Sequence, residues 1–176
     1  MFRALRNLFA PEMAPEGPVT FDFEIDIKAP PEAVYPLIDF ADSRYAKKQL
    51  GHTVRQIGTD PDKYSLILTP MPEFEHICTI TRAEPPHVYA LRSVAVPQAG
   101  VLQWSQEQYT LEPSGDNGTL LTLLVEAQFD EPLTMREYSQ HIAMMAAGCS
   151  TAIEKIKLHA EQGAEAVREM EAAQFQ

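Results

Sequence analysis

A chain of 176 residues can bury one substantial core and is short for two, so a single domain is expected. Its 45% hydrophobic and 22% charged residues are those of an ordinary folded protein and exclude wholesale disorder. A formal charge of -11 excludes a nucleic-acid wrapper, which needs clustered Lys and Arg, while two cysteines, Cys78 and Cys149, exclude a disulfide framework and match no zinc spacing.

The first segment, MFRALRNLF, places Phe2, Leu5, Leu8 and Phe9 on one helical side and Arg3, Arg6 and Asn7 elsewhere. Residues 1–9 therefore suit a small surface helix able to make a weak contact with a membrane or a partner protein. So short a helix is marginal in water, which favours fraying or packing on its own domain. It lacks the apolar run of a secretory signal, and nothing later approaches the ~20 apolar residues of a membrane span, so a cytoplasmic location is expected. Residues 10–18, APEMAPEGP, read as a linker from their prolines and glycine. The expected division is a leader and linker over 1–18, a domain over 19–162, and a helical extension or tail over 163–176.

From Thr20 to Ile27 the chain alternates Phe21, Phe23, Ile25 and Ile27 with Asp22, Glu24 and Asp26, the period of a strand with one buried face. Pro30 and Pro31 then mark a helix start, because a first-turn residue needs no amide partner. This helix buries Val34, Leu37 and Ile38, and Pro36 keeps it short or kinked. A second helical piece, DSRYAKKQL, ends at Gly51 as a C-cap. Period two returns afterwards, predicting strands at 53–58, 63–69, 74–82, 88–96, 101–112 and 119–129, joined by short Pro-, Gly- and Asp-rich turns that imply antiparallel hairpins.

The closing element begins with Thr134 and Glu137 in capping-box spacing, with Leu133 and Tyr138 placed as a hydrophobic staple. Met135, Tyr138, Ile142, Met145, Cys149, Ala152 and Ile156 then form one apolar stripe on a helix reaching about Gln162, roughly 40 Å long at 1.5 Å per residue. A coiled coil would use the same stripe, but the sheet needs a cover for its apolar face, so packing within the chain is preferred.

Taken in order, a strand, two short helices, six antiparallel strands and a long helix resemble the Bet v 1-like helix-grip fold of the START-like, or SRPBCC, superfamily, particularly its polyketide cyclase/dehydrase-like branch. The resemblance is carried by IDIKAPPEAVYPLIDF, ITRAEPPHVYALRS and YTLEPSGDNGTLLTL, in that order, and spans about residues 19–162. A departure is Tyr35, where many relatives place Trp. The resemblance implies an α+β domain whose seven-stranded curved antiparallel sheet wraps around the long C-terminal helix, with a pocket between them for an apolar or amphipathic small molecule. It does not imply one activity, since similar folds serve as lipid carriers, receptors, cyclases and interaction modules.

Side-chain parity supplies the candidate ligand-binding residues. Leu123 and Val125 face inward from the last strand, and Tyr89 and Leu91 from the middle hairpin. Alternation through Cys78 and Ile80 carries Arg82 inward as well, where a guanidinium could hold an acidic head group; the plainer reading is a rim arginine or a structural ion pair. In VLQWSQEQYTLEP, strict alternation back from Tyr109 turns Glu107 inward and Trp104 outward, whereas a bulge between Trp104 and Tyr109 restores Trp104 to the interior. An inward Glu107 would have a raised pKa and could act as an acid or base.

On the helix, Met145 and Cys149 border the small-residue run Ala146–Ala152, which either lets the helix sit close on the sheet or leaves a cavity beneath it. His76 and Cys78 share a strand face, a pairing that chance alone explains better than a nucleophile and base. His141 and His159 read as helix flanks. No metal-spaced cluster, phosphate loop or serine elbow appears, so no metal or cofactor is expected. The leading expectation is a binder or carrier of a hydrophobic ligand. Its rivals are a cyclase or dehydratase using Arg82, Glu107 and Tyr109, and an interaction or stress-response module.

Overall fold

The computed structural model describes residues 11–173; the leader helix expected over 1–9 lies outside them. Strand β1 (Val19–Ile27) turns its aromatic and isoleucine side inward and its acids outward, with Phe21 and Phe23 edge to face at 5.8 Å between ring centroids. Pro30 keeps an extended backbone, and Pro31 opens helix α1 (Pro31–Val34). The turn tightens into a 3-10 helix at Tyr35–Leu37, where Pro36 cannot donate.

The next helix is shorter than its sequence pattern. Only Ala46–Gln49, α2, is helical, because Asp39 and Asp42 accept the amides of Ala41 at 2.9 Å and Arg44 at 2.8 Å and hold the preceding residues in side-chain-supported turns. Gly51, with φ at 85°, ends α2 as expected: its amide bonds Lys48 O at 3.1 Å and that of His52 bonds Lys47 O at 2.9 Å.

Six strands follow: β2 (Thr53–Gln56), β3 (Lys63–Ile67), β4 (Glu75–Glu84), β5 (Val88–Val96), β6 (Leu102–Ser114) and β7 (Gly118–Phe129). They form one antiparallel seven-stranded sheet in the order β1-β7-β6-β5-β4-β3-β2. Strands β1 and β2 thus lie at opposite edges, and the chain between them must cross the full width of the sheet. The short helices are that crossing, which explains why β1 is abandoned so abruptly.

Two bulges bend the ladder. One lies between Ile80 and Arg82, the other between Leu102 and Trp104. The inward row of β7, Leu121, Leu123, Val125, Ala127 and Phe129, forms the floor of the core, each residue at most 5% exposed. Complete burial of a Leu or Val side chain favours folding by ~1.5–3 kcal/mol, so this row anchors the sheet.

Helix α3 (Met135–Gln162) crosses the concave face. Its capping box is formed: Thr134 Oγ1 accepts the Glu137 amide at 3.3 Å, and Glu137 Oε2 accepts the Thr134 amide at 2.9 Å. The linker is pinned to the same point, with Ala14 N donating to Leu133 O at 2.9 Å and Met135 N to Glu12 O at 2.8 Å. After Gly163 the chain turns into α4 (Ala164–Ala173), which packs back on α3 through the fully buried Val167 and a 2.6 Å Lys155–Glu171 ion pair. Arg168 Nη2 also donates to Gln49 O at 2.6 Å, tying α4 to the short-helix crossing.

Candidate functional site

Between the sheet, the short helices and α3 lies a hollow of two adjoining chambers. The first, about 220 Å³, is bordered by the crossing (Leu37, Ile38, Phe40, Tyr45, Lys47), by strand residues including Leu66, Cys78 and Leu91, and by Ile156 and His159 of α3. The second, about 300 Å³, lies under the middle of α3 and is lined by Ala95, Leu102, Leu123, Met145, Gly148 and Cys149 among others. Glu107, Tyr109, His76, Ser93 and Ala152 belong to both walls. The run Ala146–Ala152 therefore leaves space rather than drawing the helix onto the strands.

Strand β6 resolves its own parity question. From Trp104 to Ser114 its pairing with β7 is unbroken, with Glu107 opposite Val125 and Tyr109 opposite Leu123; the bulge sits earlier, at Gln103. Glu107 consequently faces inward. Trp104 lies on the other side, its ring 4.1 Å beneath the Arg92 guanidinium. Tyr109 donates its hydroxyl to Glu107 Oε2 at 2.8 Å. Burial raises the Glu107 pKa, against the opposing effects of that hydrogen bond and of Lys47. Burial likewise raises the Tyr109 pKa, and the neighbouring Glu107 adds to the rise.

The structure brings together Leu91, Glu107, Tyr109, Leu123, Met145 and Cys149 from the sequence-derived set. It separates the other three. Tyr89 and Val125 are packed in the core, where the Tyr89 hydroxyl accepts the Phe40 amide at 3.1 Å and so fastens the crossing to β5. Arg82 is a correction: the bulge at Thr81 consumes one residue of the alternation, so Arg82 pairs opposite Ala90, on the sheet face away from Tyr89 and Leu91. Its guanidinium points to solvent and holds Glu84 at 2.8 Å, the structural ion pair that was the plainer reading.

His76 and Cys78 both border the first chamber but do not form a reactive pair. The Cys78 thiol donates toward Ser93 Oγ and His76 O, each at 3.8 Å, and burial pushes its pKa up to about 12. Cys149 is likewise pushed up to about 12 by burial, as befits a small hydrophobe. His159 is not a flank residue. It is buried, with Nε2 2.8 Å from Gln49 Oε1 and Nδ1 without a partner, and burial lowers its pKa.

Sequence reasoning missed Lys47, which stands in the first chamber's wall with its pKa lowered by burial first and by Lys155 second. A lysine in a short polar helix carries no periodic signal. Only the crossing's position over the sheet would have revealed it. Among the described residues no group of three His, Cys, Asp or Glu side chains could hold a metal ion, and no helix is long and apolar enough to cross a membrane.

No family model matches the chain, and no curated protein matches it by sequence. Solved structures do match its shape. One is Ara h 8.0201, with a TM-score of 0.62 at 16% identity over 82% of this chain and 98% of that one. A second is the ZhuI aromatase/cyclase of Streptomyces sp. R1128, with a TM-score of 0.62 at 16% identity over 89% of this chain and 98% of that one. A norcoclaurine synthase of Thalictrum flavum gives a TM-score of 0.58 at 10% identity over 84% of this chain and 96% of that one. Sheet order, the crossing between its edges and the long closing helix agree with these likenesses: the chain has the Bet v 1-like helix-grip fold.

Proposed function

We propose that the protein binds or carries a hydrophobic or amphipathic small molecule in the hollow beneath α3. The observation that carries this reading is the pair of adjoining chambers, about 220 and 300 Å³, whose lining is mainly apolar with a few polar groups between. Small-molecule sites have this composition and a size of about 300–1,000 Å³. The fold neighbours described as an aromatase/cyclase and as a norcoclaurine synthase in complex with a transition-state analogue support the reading only in that the same architecture serves proteins that act on small molecules. Native mass spectrometry after gentle purification, with organic extraction of the same sample, is expected to show one apolar molecule per chain. Only guest-free protein, together with failure to take up any added apolar compound, would sink the reading.

A second reading, an enzyme of the cyclase or dehydratase kind, is favoured by one feature: an inward carboxyl whose pKa burial raises, bonded to a tyrosine at the junction of the chambers. Arg82 has no part in it. Glu107→Gln would then abolish conversion of a bound guest while leaving its binding intact; unchanged conversion would discard this reading. The interaction-module reading rests on residues 1–9, outside the described region.

A further inference from the structure

We propose that the guest is a singly charged anionic amphiphile of the carboxylate class, its head group held by the Lys47 ammonium in the first chamber and its apolar body lying in the second. This inference rests on the hollow being a binding site and goes beyond it by assigning the guest's polarity and direction.

The argument starts from two adjacent lysines of α2 with different fates. Lys48 Nζ donates to Phe40 O at 2.6 Å and Asp42 O at 3.1 Å, so its charge is absorbed by the carbonyls of the crossing. Lys47 turns to the hollow instead, and among the described residues no carboxylate lies within 4.0 Å of its amine. The groups whose charge it feels come from four elements. From α3, Lys155 is neutralised by Glu171 of α4 at 2.6 Å. From β6, the Glu107 carboxyl is shifted by burial toward its neutral form, makes no ion pair with Lys47 and already accepts from Tyr109. His52, just past α2, and His76 of β4 are shifted by burial toward their neutral forms.

The first chamber thus holds a lysine amine with no carboxylate in contact among the described residues. Holding an ammonium in a partly desolvated wall without a counter-ion is costly, and an incoming anion relieves that cost. One compact point charge matches one negative charge, which favours a carboxylate over a doubly charged phosphate. The second chamber holds no lysine or arginine. It offers Ala95, Leu102, Leu123, Met145 and Cys149 beside the uncharged polar Ser93 and Ser105, and its only carboxyl is Glu107 at the shared wall.

The test compares dodecanoate, dodecanol and dodecylammonium by calorimetric titration below their micellar concentrations. Wild-type protein is expected to bind dodecanoate at least about tenfold more tightly than dodecanol, the scale of one charge-assisted hydrogen bond, and dodecylammonium weakest. Lys47→Met and Lys47→Gln should bring acid and alcohol to similar affinity while still binding dodecanol, which also shows that the variants are folded. Arg82→Met, which removes a positive charge outside the hollow, should keep the preference. Equal wild-type affinities, or a preference that survives both Lys47 substitutions, would overturn the anionic assignment alone. Failure of all three compounds to bind would overturn the binding function and this inference with it.

Discussion

The two halves of α3 do different jobs with the same helical repeat. From Ile153 to Gln162 the helix is clamped: Ile153, Ile156 and His159 are buried, Lys155 pairs with Glu171, and Glu161 Oε1 accepts the Lys28 amide at 2.8 Å. From Met135 to Ala152 no residue is fully buried, and the small side chains of Ala146–Ala152 stand over the second chamber. The fully buried residues of the rod are concentrated at one end, where Ile156 and His159 also border the smaller chamber, while the other end stands over the larger one. A helix packed along its whole length would have no room for a guest, and one clamped nowhere would not define a cavity.

The largest expected effect breaks the clamped half. Ile153→Ala should cost ~2–5 kcal/mol, the range for buried aliphatic truncation, whereas Met145→Ala, whose side chain borders a void, should cost less than half as much. Denaturant melts of the two variants decide it, and equal losses would erase the contrast. A smaller effect fills the other half. Ala152 belongs to both chambers, so Ala152→Phe should cut guest affinity at least about tenfold with a stability change within ~1.5 kcal/mol. Unaltered affinity would mean that guests bind elsewhere.

The subtlest effect concerns Glu107 at the junction. Its pKa is raised in the folded state above the ordinary carboxylate value, so the folded protein holds this proton more tightly than the unfolded chain does. The resulting stabilisation is fully present below the ordinary carboxylate pKa and is lost as pH rises through the folded value. Glu107→Gln removes that dependence. Melting temperatures of wild type and variant should therefore diverge in the variant's favour from about pH 4.5 upward, beyond any constant offset. Parallel curves would show that Glu107 is as ionisable in the fold as in solvent.

Much of this architecture could be read from residue spacing. Alternation in β1 and β7, the Thr134–Glu137 box and the apolar stripe of α3 are local patterns, and each became the element it announced. The inward turn of Glu107 was one of two open readings because parity survives only until a bulge interrupts it, and nothing in VLQWSQEQYTLEP distinguishes a bulge at Gln103 from one further along. Arg82 was displaced for the same reason by the bulge at Thr81. Lys47 and His159 were invisible as lining residues because they meet across more than a hundred positions of chain, through a crossing whose path depends on which strands form the sheet's edges. Docking of α4 was similarly hidden: Val167 gives one apolar residue to a short helix, too little periodicity to show that it packs back.

The most direct test of the central claim, an apolar guest lodged beneath Ala146–Ala152, is methyl NMR of protein labelled at Met and Ile while dodecanol is titrated in. The account predicts that the Met145 methyl, assigned through Met145→Leu, shifts and saturates at one guest per chain while Ile153 in the clamped half stays nearly fixed. A stationary Met145 signal with bound dodecanol, or equal shifts along the whole of α3, would contradict it.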